Sequence, residues 1–242
     1  MLQPLHCKVR IHVHFTFRHH EKERLIDCGI NSVDITALSA VLLDTCHKIV
    51  DVEEEVDRYD AVVGDGDCGS TLGGTARAIV KSIEGDESFT KNTDAVRFMD
   101  TIAQIVEDNM DGTSGALYAI FLNALAASLR TIGLTANKEN IVEQSQWVQA
   151  SVKALEALQR ATPARAGDRT LMDALEPFIT TLKATGTVST ALAAARRGKD
   201  KTKGMPAAFG RAVYVPEQSW SEVPDPGATG LVYLLEGLFS NQ

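Results

Sequence analysis

The 242-residue chain lacks an excess of positive charge: 24 lysines and arginines face 32 aspartates and glutamates, giving a net charge of −8 and a pI near 5.3. This excludes sequence-independent nucleic-acid binding, which needs a basic stripe to replace the counterions around phosphates. Any phosphate taken up must be small and locally held. Cysteine is sparse and unpaired in pattern: Cys7, Cys28, Cys46 and Cys68 stand far apart with no CxxC. Neither a zinc ribbon nor a disulfide framework is indicated, and a reducing compartment, the cytoplasm, is expected. The first residues lack the continuous apolar region of a secretory signal. The most apolar run, ALYAIFLNALAASL over 116–129, is too short to span a bilayer and contains Asn123, so it reads as a buried helix and no membrane partner is expected.

What is present is the balance of a soluble globular protein, 44% hydrophobic and 23% charged, with room for one sizeable core or two small ones. Residues 1–30 differ from the rest. They carry five of the six histidines and alternate apolar and polar residues over IHVHFTF, a strand-like or irregular pattern. His12, His14, His19 and His20 have no partner cysteine or carboxylate motif, so residues 1–35 read as a poorly ordered extension rather than a metal site.

From residue 36 the apolar period becomes helical, first over Leu38, Leu42, Cys46, Ile49, Val52, Val56 and Tyr59 as one long amphipathic helix. Comparable stripes begin at Leu72, Val96, Leu117, Ile141, Met172, Val188 and Ala228. Together they predict an all-α domain over 36–242, an eight-helix bundle or barrel, with glycine-rich loops at helix ends.

One such loop is VVGDGDCGSTLGG, Val62 to Gly74, with two carboxylates, two hydroxyls and five glycines in thirteen residues. Asp60 falls one turn beyond Val56 on the inward stripe, at the partially negative end of its helix. Asp65 and Asp67 flank Gly66, so three carboxylates can converge on one point, and the simplest tenant is a divalent metal. An EF-hand register fails, because Gly69, Ser70 and Ala76 fall on positions that need a ligand, a glycine and a bidentate glutamate. No Walker loop occurs, and no lysine follows the glycines before Lys81. Ser70 and Thr71 offer caps or phosphate donors. A second segment, NMDGTSGAL over 109–117, sets Thr113 and Ser114 between glycines at the start of an apolar helix, a ready anion site. Magnesium-bound nucleotide needs both features.

The segments DAVVGDGDCGSTL from Asp60, GTSGALYAIF from Gly112, ARAGDRTLMDAL from Ala164, FGRAVYV from Phe209 and VPDPGATG from Val223 together resemble, in order, the nucleotide-binding domain of dihydroxyacetone (glycerone) kinases. The resemblance spans residues 38 to 239 and implies an eight-helix antiparallel barrel holding ATP or ADP at one end. It implies that Asp60, Asp65 and Asp67 coordinate two Mg²⁺ ions, with Gly66, Cys68, Ser70 and Thr71 in the same nucleotide-binding loop. Thr113 and Ser114 would donate to phosphate oxygens, and Arg211 would add positive charge beside them. Thr170 and Leu171 match residues lining the pocket, and Asp225, Pro226 and Gly227 match the loop over sugar and base.

Three positions depart from the family pattern. Asp111 stands where glycine is usual, Val213 replaces a serine, and Cys68 takes the place of the histidine of phosphotransferase-dependent subunits, pointing to the ATP-dependent group. The implied activity is transfer of the γ-phosphate of ATP to dihydroxyacetone or a related triose, held on a histidine of a separate substrate domain. Nothing before Leu38 matches that domain, so another chain is expected to carry it. The alternative is a non-catalytic nucleotide- or metal-binding module left by its loss.

Overall fold

The computed structural model describes residues 32–85, 94–132 and 141–239. The histidines of the N-terminal extension lie outside them. Within them, each stripe of apolar residues repeating every three or four positions becomes a helix with one buried face. In α1 (Ile35–Asp51) that face is Leu42, Cys46 and Ile49, and in α3 (Cys68–Gly85) it is Ala76, Ile79 and Ile83. Between them, α2 (Glu53–Val63) buries Val56, Asp60 and Val63. The single helix expected from 36 to 59 is therefore two, parted at Val52, where φ is −101° and ψ is 2°. Glu53, Glu54 and Glu55 form the first turn of α2, where carboxylates meet the positive end of a new helix dipole.

Further along come α4 (Ala95–Asn109), α5 (Gly112–Thr131), α6 (Gln144–Ala161), α7 (Met172–Thr185) and α8 (Val188–Lys201). A 3₁₀ turn (Arg211–Tyr214), the short α9 (Glu217–Glu222) and α10 (Pro226–Phe239) complete the chain. Neither the 3₁₀ turn nor α9 has an apolar stripe, and periodicity did not indicate them. The expected count of eight is thus exceeded among the described residues. Ile141, expected to open a helix, lies instead in β2 (Ile141–Glu143), antiparallel to β1 (Ser32–Asp34) with Val33 opposite Val142. The physical reason is a capping box: Glu143 and Gln146 exchange side-chain and backbone bonds, which fixes the helix start at Gln144. Through β1 and the buried Ile35, residues 32–35 attach to the helical body.

Eight helices pack as a closed ring, α1 on α3, then α4, α5, α6, α7, α8 and α10, which returns to α1; α2 packs on α3 and α10. One large core cluster joins Leu42, Ile79, Phe98, Ile102, Leu125 and Leu129; a second joins Leu158, Met172, Phe178, Ile179, Leu192 and Leu231. At 20 residues α5 exceeds the expected 14-residue run and is long and apolar enough to cross a membrane. Here it packs between α4 and α6, burying Ala119, Leu125, Ala126 and Leu129.

Candidate functional site

The helical ring brings the N-termini of α3 and α10, with Tyr118 of α5, to one acidic loop, and the start of α7 lies against that of α10. That loop, Gly64 to Asp67, is anchored by Asp60, which is only 7% exposed near the end of α2. Its Oδ2 accepts the backbone N–H groups of Gly66 and Asp67 at 3.0 Å and of Cys68 at 3.2 Å. The loop donors thus offset the unfavourable placement of a carboxylate at a helix C-terminus. Gly66 has φ of 80°, a left-handed conformation that a side chain would strain, and it turns Asp65 and Asp67 towards Asp60. The three residues each offer a carboxylate oxygen within 4.8 Å of the others, Asp60 buried and the other two exposed. Partial desolvation, then the charges of Asp65 and Asp60, hold the Asp67 carboxyl above its usual range, while Arg211 pulls it down. Such a set of hard, mutually repelling oxygens is chemistry that suits a divalent cation such as Mg²⁺.

Arg211 rises from the 3₁₀ turn and meets Asp65 at 2.8 Å while 71% exposed. Cys68 opens α3, half-buried, its thiol pKa raised by burial and by the surrounding aspartates. Ser70 is engaged elsewhere: its hydroxyl donates to Asp57 at 2.5 Å and its amide to the same carboxylate at 2.9 Å. Asp57 thereby caps α3, a role not identified from sequence although it stands three residues before Asp60 on one helix face. Thr71 donates its amide to the Asp67 carbonyl at 2.9 Å.

Thr113 and Ser114 lie in the first turn of α5, behind Asp111, which takes the N-cap position without a side-chain cap bond. Gly115 is required there, since a Cβ would overlap the Met110 carbonyl oxygen. Four residues beyond Ser114, the Tyr118 hydroxyl is buried with no partner among the described residues. Burial raises its pKa, and the charges of Cys68 and Asp225 add to this, which ties α5 to the acidic loop.

Thr170 and the buried Leu171 precede α7, whose Asp173 accepts the amides of Gly167 at 2.7 Å and Thr170 at 2.8 Å. Asp225, Pro226 and Gly227 are the start of α10 rather than a free turn. The Asp225 Oδ1 accepts the Ala228 amide at 2.7 Å, with Pro226 as the first helical residue. Thr202 holds the Asp225 amide at 2.7 Å. A Cβ on Gly227 would stand 3.7 Å from Leu171, so the start of α10 lies close to the residue before α7. Sequence reasoning had no signal for Thr202 or Tyr118, which enter the site only through tertiary packing.

A closed ring of helices carrying three clustered aspartates defines the class of this domain. Residues 62–240 match the family model described as the DAK2 domain. The chain belongs to the DAK2 domain family. It is 42% identical over 210 residues to a dihydroxyacetone kinase of Pichia angusta, covering 84% of this chain and 34% of that one. Over 210 residues it is 30% identical to the triokinase/FMN cyclase of Homo sapiens, covering 83% of this chain and 34% of that one. It therefore spans about a third of the length of these curated relatives. The fold resembles the crystal structure of the dihydroxyacetone kinase from C. freundii in complex with AMP-PNP and Mg²⁺, with TM-score 0.67 and 24% identity, covering 100% of this chain and 38% of that one.

Proposed function

We propose that this chain is the ATP- and Mg²⁺-binding, phosphoryl-donor part of a glycerone-type kinase. Its γ-phosphate acceptor would be dihydroxyacetone or a related short ketose or aldose, held by a separate substrate domain. The observation that carries the reading is the convergence of Asp60, Asp65 and Asp67 within 4.8 Å at the start of α3. Asp60, Asp65 and Asp67 would hold two Mg²⁺ ions. Bound there, Mg²⁺ would neutralise the phosphate charge that accumulates during transfer.

In this reading, Thr113, Ser114 and the N–H groups of the first turn of α5 bind phosphate oxygens, assisted by a helix dipole. Arg211, exposed and already beside the acidic loop, adds a cation to the same group of oxygens. Thr170, Leu171, Asp225, Pro226 and Gly227 form the two walls that receive the sugar and base. With Cys46 and Cys68 both free thiols, the proposed setting is reducing and cytoplasmic.

Calorimetric titration with ATP, in Mg²⁺ and again in EDTA, tests the reading. Binding that needs the cation is expected, because three carboxylates repel a triphosphate without it. Equal affinity in both conditions would remove the metal bridge and the reading with it.

A further inference from the structure

Arg169 is a buried cation among the elements of the site. It is 1% exposed, precedes Thr170 directly, and takes a left-handed φ of 58°, uncommon for a residue with a Cβ. Burial lowers its pKa, opposed by Asp225 and Asp173, yet a guanidinium remains charged in proteins. A buried charge is unfavourable unless paired and hydrogen-bonded, and an apolar side chain would serve packing at least as well. Its placement therefore calls for a directional role.

The geometry supplies one. The main chain around Arg169 is fixed to one wall, because the Asp173 carboxylate accepts the amides of Gly167 and Thr170, on either side of it, at 2.7 and 2.8 Å. The guanidinium crosses to the other wall, where Nη2 donates to the Val223 carbonyl at 2.9 Å across 54 residues of sequence. Nη1 lies 3.8 Å from Asp225 Oδ2, beyond hydrogen-bond length. Neither Nη1 nor Nε has a hydrogen-bond partner among the described residues. The side chain is thus a strut from the loop before α7 to the loop before α10.

We propose that Arg169 is a positioning residue for the nucleotide. Its guanidinium fixes the start of α10, Asp225–Pro226–Gly227, relative to Thr170–Leu171, and so the shape of the surface these residues together offer to sugar and base. The inference rests on the nucleotide reading above and assigns Arg169 no contact with phosphate or metal.

The test compares Mg-ATP with Mg-tripolyphosphate, which has the phosphates but neither sugar nor base. Wild type and Arg169→Met are titrated with each by calorimetry, at a temperature where circular dichroism shows both folded. Wild type should prefer ATP. Arg169→Met should lose about tenfold in ATP affinity, on the scale of one hydrogen bond to a charged group, while tripolyphosphate binding changes less than about twofold. If Arg169→Met does not fold, Arg169→Lys takes its place: it keeps the charge but not the planar guanidinium, and the same split is expected at smaller size. Losses equal for both ligands, or no loss for either, would overturn the positioning role. A wild type that binds ATP no better than tripolyphosphate would overturn the nucleotide reading itself, a result distinct from either.

Discussion

Asp60 and Asp65 both face the candidate metal position, but they are built into the protein differently, and alanine substitutions should separate the two roles. Asp60 is 7% exposed and its Oδ2 accepts three backbone amides. A hydrogen bond to a charged group is worth roughly 1.5–3 kcal/mol. Here three share one oxygen, and water regains part of the loop once the carboxylate is gone. Asp60→Ala should therefore destabilise the metal-free protein by about 3–5 kcal/mol. Asp65, by contrast, is paired with Arg211, itself 71% exposed, and an exposed ion pair contributes about 0–1 kcal/mol. Removing Asp65 also relieves repulsion from its acidic neighbours. The two effects oppose each other, so Asp65→Ala should shift stability by less than about 1 kcal/mol. Both variants should lose divalent-cation binding. Urea unfolding in EDTA followed by circular dichroism gives the first quantity, and Mn²⁺ titration the second. Equal stability losses for the two variants, or a fully stable Asp60→Ala, would refute the assignment of Asp60 as the loop's anchor.

Other outcomes follow from the same site. Burial pushes the Asp225 pKa up to about 7, against the Ala228 amide bond and Arg169, from about 3.9 in an unfolded chain. Between those values the folded state holds more protons, so stability should fall as pH rises from about 4 to about 7 and level off above. Asp225→Asn should flatten that slope in urea melts at pH 5 and 8; an unchanged slope would assign it to other groups. The purified chain should form no dihydroxyacetone phosphate from ATP and free dihydroxyacetone, since orienting an acceptor near the γ-phosphate can be worth roughly 7–11 kcal/mol and His47 is exposed on α1. A coupled assay yielding triose phosphate from a preparation free of any second polypeptide would contradict this.

The all-α class was legible because burial imposes its period on the chain: Leu42, Cys46 and Ile49, or Ile79 and Ile83, are spaced as one face of a helix demands and are buried as one face. Helix boundaries were less legible. The stripe runs through Val52 without interruption, and what ends α1 there is a local backbone conformation that apolar spacing does not encode. The same holds at Ile141, where the capping box of Glu143 and Gln146 sets the start of α6. At the site, Asp60, Asp65 and Asp67 could be grouped in advance because they are neighbours in sequence, and a glycine turn is sufficient to bring them together.

Residues whose partners lie far away carried no such signal. Ser70 reads as a cap or phosphate donor until Asp57, 13 residues earlier, occupies both its amide and its hydroxyl. Arg169, in the sequence a residue ahead of a helix start, has no visible partner until Val223 and Asp225 approach its guanidinium. Thr202 is one more threonine after a basic helix end until it holds the Asp225 amide. The division is physical: side chains that would touch the ligand are set by short loops at helix starts, whose chemistry is written locally. The groups that hold those loops at the right separation belong to other helices, and only closure of the ring brings them into register. Substitutions at Arg169 or Thr202 should therefore change how well the walls meet without removing any side chain proposed to touch the nucleotide.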